Sequence, residues 1–475
     1  MASCPFEPES DATIECGYLV VPEDRTNADS PEIELAVAII RSPDPAKAPD
    51  PILYLEGGPG GTALYTIDRW VQMGLASNRD VIVMDQRGTG FSRPTLDCPE
   101  VSNWTYRYLR SPEWFMRDSL LKCRNRLGRE DVNLRAYNSA ANAADVEDLR
   151  RALGYAQINL YGISYGTRLA LTVMRDYPEG LRSVVLDSTY PPNVDLYAEM
   201  PSNTVRAFNQ IFVGCAANAV CSANYPNLET DFYRLIADLN EDPLVLSFSE
   251  FGGGVRISGD DLIGIFFLSL YDTELIPMLP LVIDSTAKQN YEPLQILMLW
   301  SLLRGFQADT MQPFDVDGFS EGMYYSVLCR EEMPFTTEDA VEAAAAARPE
   351  VEKYFVEGFD LDMIMCRIWK AGESGAIENQ AVVSDVPTLV LAGDYDPITP
   401  PQWGQIAAET LSNGYYYEFP GFGHGVSVSG ACPEGITRAF IANPSQAPDT
   451  SCMAGLTGAN FQTEWRFDFW EQFGQ

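Results

Sequence analysis

The stretch Ile158-Asn159-Leu160-Tyr161-Gly162-Ile163-Ser164-Tyr165-Gly166-Thr167-Arg168-Leu169-Ala170-Leu171-Thr172-Val173-Met174 decides how the rest of the chain reads. A short apolar run opens it, a helix-forming run closes it, and Gly162-Ile163-Ser164-Tyr165-Gly166 stands between them. G-x-S-x-G between a strand and a helix is the signature of a nucleophile elbow, a strained turn that projects the serine hydroxyl above a sheet. Both glycines are needed because the strand and helix backbones approach each other there, with no space for a Cβ. An ordinary glycine-rich turn is the competing reading of the pentapeptide alone; its flanks favour the elbow.

Upstream, Cys16 to Pro22 and Ile33 to Ile40 read as strands joined by a polar turn, the second alternating as a half-buried strand does. Pro51 to Leu55 is a strand running into the loop Glu56-Gly57-Gly58-Pro59-Gly60-Gly61. Asp80 to Asp85 is another, followed by Gln86-Arg87-Gly88-Thr89-Gly90-Phe91-Ser92. Such continuous apolar runs suit a parallel sheet covered on both faces. An alanine-rich amphipathic helix is predicted over 139–153, opened by Asn138 or Ser139, with Val146, Leu149 and Leu153 on one face. Leu181 to Asp187 is the next buried strand. Strand, helix, strand, helix, strand is a doubly wound α/β pattern.

That pattern lapses from Asn193 to Ser384. Helical stretches such as Leu262 to Leu270 and Glu338 to Ala347 dominate there, and Phe251-Gly252-Gly253-Gly254-Val255 reads as a hairpin turn, since no Gly-Lys-Ser/Thr follows to make a phosphate loop. The α/β pattern resumes at Val386 to Gly393, and a last strand near Tyr415 to Phe419 ends in Pro420-Gly421-Phe422-Gly423-His424-Gly425. The expected organisation is a sheet domain in two parts, 1–192 and 385–475, with a mainly helical cap, 193–384, inserted before the next-to-last strand.

His424 is the only histidine in the chain, so a serine nucleophile has no other imidazole to serve as its base. It sits in a glycine-flanked loop downstream of Ser164 and of Gly393-Asp394-Tyr395-Asp396-Pro397, which is the α/β-hydrolase order of nucleophile, acid and histidine. The acid holds the imidazole tautomer and stabilises the imidazolium; the residues alone leave Asp394 and Asp396 both open. An oxyanion hole needs two backbone N–H groups. Tyr165, which follows the nucleophile, supplies one, and Gly58 in the earlier glycine loop is the expected second.

Composition narrows the setting. A formal charge of −35 repels nucleic acid and anionic membrane surfaces and attracts cationic substrates such as free peptide amines. No apolar run has the length that spans a bilayer, so membrane insertion is not expected. The ten cysteines fall into sequence neighbours, Cys4 and Cys16, Cys98 and Cys123, Cys215 and Cys221, Cys329 and Cys366, Cys432 and Cys452. Five local disulfides are the preferred reading, which implies an oxidising compartment. Without C-x-x-C and with one histidine, a zinc site is not expected. The chain opens Met1-Ala2-Ser3 with no basic, apolar leader; the expectation is a secreted or cell-surface protein whose signal peptide has been removed.

Together, G-G-P-G-G at 57–61, D-Q-R-G-T-G-F-S at 85–92, G-I-S-Y-G-T at 162–167, G-D-Y-D-P-I-T-P at 393–400 and G-F-G-H-G at 421–425 resemble the proline iminopeptidase family of α/β-hydrolases. The cysteine-bearing opening and tail are more similar to its secreted tripeptidyl aminopeptidase branch. The resemblance covers the sheet domain well and the cap poorly. It implies an α/β-hydrolase fold with a cap, and it selects Asp396, the last residue of G-x-x-D, as the acid. It further implies a serine exopeptidase, an aminopeptidase of the proline- or tripeptide-releasing type, needing no metal or organic cofactor. Cap carboxylates would bind the free N-terminal ammonium of a peptide, and Glu331 and Glu332, beside Cys329, are the candidates. Where relatives often begin the oxyanion loop with histidine this chain has Glu56; the hole works through backbone N–H groups and is expected to survive. A carboxylesterase or amidase with the same triad is the alternative.

Overall fold

The apolar runs line up as the middle of one sheet. A computed structural model describes residues 4–6, 12–102, 113–248, 253–305 and 318–464. Its strands are β1 (Ile14–Pro22), β2 (Glu32–Ile40), β3 (Ile52–Leu55), β4 (Val81–Met84), β5 (Ile158–Ile163), β6 (Leu181–Asp187), β7 (Leu244–Phe248), β8 (Gly253–Ile257), β9 (Thr388–Gly393) and β10 (Gly414–Phe419). Eight of them form one sheet in the order β1-β2-β4-β3-β5-β6-β9-β10. The pairs β1/β2 and β2/β4 are antiparallel and all later pairs parallel. This is an α/β-hydrolase fold.

Side chains of β3, β4 and β5 alternate between two cores. Ile52, Tyr54, Val81, Val83, Tyr161 and Ile163 pack on one face, and Leu53, Leu55, Ile82, Met84, Ile158 and Leu160 on the other. Burying each such aliphatic side chain contributes about 1.5–3 kcal/mol. From β3 the chain moves to β4 on one side and then crosses back from β4 to β5 on the other. The crevice at that switch point, beyond the carboxyl ends of the strands, is where open α/β sheets bind ligands. β3 ends at Leu55, just before Glu56, and β5 ends at Ile163, just before Ser164, so the glycine loop and the serine share the crevice.

The helix predicted over 139–153 spans Ser139–Ala152, and Asn138 caps it by accepting from the Ala141 amide. Leu153 lies just past its end and is exposed, off the buried face formed by Val146 and Leu149. Between β6 and β9 the chain is mostly helical, with its own apolar core around Phe208, Phe232 and Phe266. The hairpin expected at the glycines is present as β7 paired with β8, but Gly253 and Gly254 belong to β8. The connecting residues, with Phe251 and Gly252, lie outside the described residues. The five cysteine pairs are all joined as neighbours in sequence. No helix among the described residues is long and apolar enough to cross a membrane.

Candidate active site

Ser164 has φ +59° and ψ −129°, a conformation a serine adopts only when its surroundings enforce it. Here β5 pairs on both sides, the Ser164 amide donates to the Asp187 carbonyl at 3.0 Å, and the helix Tyr165–Asp176 begins at once. A Cβ on Gly162 would lie 2.4 Å from the Gly166 carbonyl oxygen, and one on Gly166 would lie 2.0 Å from that of Leu55. Among the described residues the Ser164 hydroxyl has no hydrogen-bond partner, and the residue is half-buried at the crevice. Nδ1 of His424 lies 2.8 Å from Asp396 Oδ2, which leaves Nε2 as the ring's outward nitrogen. A serine–histidine bond left open without substrate commonly closes in the Michaelis complex.

Asp396, fully buried, accepts from the Ile398 and Thr399 amides at 3.0 and 2.9 Å and from the Thr399 hydroxyl at 2.7 Å. Burial alone would raise its pKa. The His424 charge and bond, with the two Thr399 donors, outweigh that and hold the carboxyl below its ordinary value. For His424, burial would lower the pKa, but the Asp396 charge and hydrogen bond, aided by Asp187, raise it above the usual imidazole value. Asp394, which the residues alone could not separate from Asp396, instead accepts from the Gly421 amide at 2.7 Å, and burial pushes it up to about 7. Arg206, on the inserted helix Leu196–Ala217, grips this acid loop by donating to the carbonyls of Asp394, at 2.6 Å, and of Asp396.

Two supports of the histidine loop escape a sequence reading. Asp187, at the end of β6, receives the Val426 amide at 3.0 Å and the Ser427 amide at 2.8 Å, together with the Ser427 hydroxyl. A carboxylate closing a buried strand is the only signal for it. The second support belongs to the insertion: the Tyr271 carbonyl accepts from the His424 amide at 3.1 Å, Thr273 Oγ1 accepts from Gly423 at 3.0 Å, and the Tyr271 ring lies 4.7 Å from the imidazole. Nothing in the sequence marks Tyr271.

The glycine loop packs on the serine, since a Cβ on Gly57 would lie 3.0 Å from that of Ser164. The Gly57 amide is occupied by the Glu56 carboxylate at 2.8 Å. Among the described residues the Gly58 and Tyr165 amides have no partner, and Tyr165 begins a helix whose dipole favours an anion. Asp85 holds the loop from behind, accepting from the Leu64 and Phe91 amides at 2.9 and 2.8 Å, and burial pushes it up to about 7. The D-Q-R-G-T-G-F-S segment thus supports the site and does not face it.

Glu331 and Glu332 lie in a single π-helical turn, Leu328–Glu332, and part ways there. Both oxygens of Glu331 are taken by Ser139, amide at 2.7 Å and hydroxyl at 2.6 Å. Glu332 is approached by Arg168 and by the Tyr190 hydroxyl, and burial pushes it up to about 7 against the pull of both. Tyr324 feels the charges of Asp362 and Glu332 as well as Tyr271, whose ring lies against His424. Asp362, bonded to Tyr197 at 2.9 Å and pushed up to about 6 by burial, is the carboxyl the sequence reading missed. Its helix, Glu352–Trp369, carries many charges and gives no sign of which one faces inward. Phe319 borders the glycine loop, its ring 3.2 Å from where a Gly58 Cβ would stand.

The chain matches a family described as alpha/beta hydrolase fold over residues 50–223 and one described as TAP-like protein over residues 340–452. Among curated relatives, a putative hydrolase, YuaR, of Escherichia coli is 27% identical over 53% of this chain and 51% of its own length. The serine protease Hip1 of Mycobacterium tuberculosis is 24% identical over 91% of this chain and 86% of that protein. A tripeptidyl aminopeptidase of Streptomyces coelicolor is 28% identical over 38% of this chain and 36% of that protein. The chain thus spans about half the length of the first of these and most of the second. The resemblance drawn from the motifs is borne out by these matches.

Proposed function

We propose that this chain, a serine hydrolase of the α/β-hydrolase fold, is a secreted aminopeptidase that cleaves peptides near a free N-terminus. Ser164 Oγ attacks the scissile carbonyl carbon and passes its proton to His424 Nε2. Asp396 keeps the Nδ1 proton in place and stabilises the imidazolium. The Gly58 and Tyr165 N–H groups hold the oxyanion. Collapse of the tetrahedral intermediate breaks the C–N bond, His424 protonates the leaving amine, and a water activated by the same imidazole releases the acyl group from Ser164. The disulfides support an oxidising destination.

One observation carries the choice of an amine-bearing substrate. Glu332 is a buried carboxyl whose environment under-stabilises its charge, and its charge acts on Tyr324, which also feels Tyr271, the ring that lies against His424. A substrate ammonium would supply the missing countercharge, and a charge-assisted hydrogen bond of this kind contributes about 1.5–3 kcal/mol. A free peptide anilide should therefore be cleaved with a kcat/KM about 10–100-fold above that of its N-acetylated form. Indifference to acetylation would exclude the aminopeptidase reading and favour an esterase or amidase.

The pH dependence follows from the same groups. His424 acts as base only when neutral, and its pKa is raised, so kcat/KM should climb through a limb lying above about pH 6.5 and lose about tenfold per unit below it. A free peptide amine loses its proton near about pH 8, closing the window on the alkaline side for free-amine substrates alone. A rate that stays flat from about pH 4 to 8 would contradict imidazole catalysis.

A further inference from the structure

Arg168 stands on the elbow helix one turn beyond Ser164, and it is 1% exposed. Its Nη1 lies 2.8 Å from Glu332 Oε1, and its Nε lies 3.7 Å from Glu331 Oε2. Nη2 donates to the Glu331 and Glu378 carbonyls at 3.4 and 3.1 Å. The guanidinium carbon sits 5.0 Å over the Tyr190 ring, which in turn stacks on Trp403 at 5.4 Å. A planar cation pinned from several directions has little rotational freedom.

The two carboxylates it meets are unequal. Glu331 is already committed to Ser139. Glu332 faces Arg168 at short range but off-axis: neither Nη1 of the arginine nor Oε1 of the glutamate makes a well-directed hydrogen bond, although both are buried. With both glutamates ionised, one guanidinium leaves the cluster one negative charge in excess; uncompensated buried charge is costly, and Glu332 accordingly holds its proton up to about pH 7. A single cation entering beside Glu332 would balance it.

We propose that Arg168 is a positioning residue for the substrate amine: from the nucleophile's own helix it fixes Glu332 at a set offset from Ser164. This rests on the reading of Glu332 as the partner of the ammonium. Amine pocket and nucleophile are then tied through one rigid helix, and the distance between them limits how much peptide lies between the N-terminus and the scissile bond. Arg168 touches neither the scissile bond nor the oxyanion donors, so its contribution falls on binding.

The test compares R168M and R168K with the wild type on a free peptide anilide and on its N-acetylated form, with fluorophosphonate labelling of Ser164 as the readout of an intact elbow. R168M should raise KM for the free-amine substrate about 10–100-fold with a much smaller change in kcat, and the preference over the acetylated substrate should collapse. R168K keeps the charge but not the fork, and should lie between the two. Should R168M fail to label, R168K alone decides through its KM. A wild type without free-amine preference would defeat the reading of Glu332. A wild type that has it, beside variants that keep it or lose only kcat, would overturn the role of Arg168 alone.

Discussion

Ser164→Ala is expected to lower kcat by about 10⁴–10⁶-fold with no measurable loss of thermal stability. The rate loss corresponds to about 5–8 kcal/mol of transition-state stabilisation. No other group is expected to take over: the hydroxyl is the atom we propose to be acylated, and the chain holds no second histidine to recruit another nucleophile. Stability should be spared for separate reasons. The hydroxyl makes no hydrogen bond among the described residues, so its removal orphans no partner. The backbone at φ +59° strains alanine and serine alike, because both carry a Cβ. Steady-state kinetics on a peptide anilide beside a thermal melt checks both halves. Turnover near that of the wild type would remove Ser164 from the mechanism, and a large drop in melting temperature would show that the loss reports folding.

The elbow was legible because its constraints are local. A strand, a glycine, a serine, a glycine and a helix are consecutive in the chain, and the physics that demands them acts between neighbours. The central strands were legible for a related reason: burial on both faces forces uninterrupted apolar runs such as Val81 to Met84. Asp396 and Asp394 could not be separated from the residues alone. Both sit in one loop, Asp396 buried and Asp394 half-buried, and only the approach of a loop some 28 residues away decides which carboxylate meets His424. Glu331 and Glu332 show the limit more sharply. Adjacent, identical and equally plausible in sequence, they diverge because Ser139, from 192 residues upstream, takes both oxygens of the first. Tyr271 and Asp362 belong to the insertion, where no strand periodicity or motif fixes which side of a helix or turn faces the crevice. What the sequence conceals is the set of contacts between the insertion and the sheet.

Gly166→Ala should be far more damaging to the fold than its single added methyl suggests. That methyl would lie 2.0 Å from the Leu55 carbonyl oxygen, 2.8 Å from its carbon and 3.1 Å from the Glu56 carbonyl oxygen. All three are backbone atoms, so no side-chain rotation relieves the clash. β3 and the start of the elbow helix must separate, and β3 leads directly into the loop that carries Gly58. The expected cost is about 3–5 kcal/mol, at the upper end for overpacking because the obstacle is main chain. Whatever folded enzyme survives should label poorly with a fluorophosphonate, since the serine and the oxyanion donors move apart. Gly358→Ala is the control. This glycine lies inside the helix Glu352–Trp369 with nothing within 4 Å of an added Cβ, and there alanine should stabilise by about 0.5–1 kcal/mol. Thermal melts and labelling of both variants together test whether it is close backbone approach, and not glycine content as such, that holds the nucleophile in place. A Gly166→Ala protein with wild-type melting and labelling would show that β3 and the elbow helix can separate at no cost.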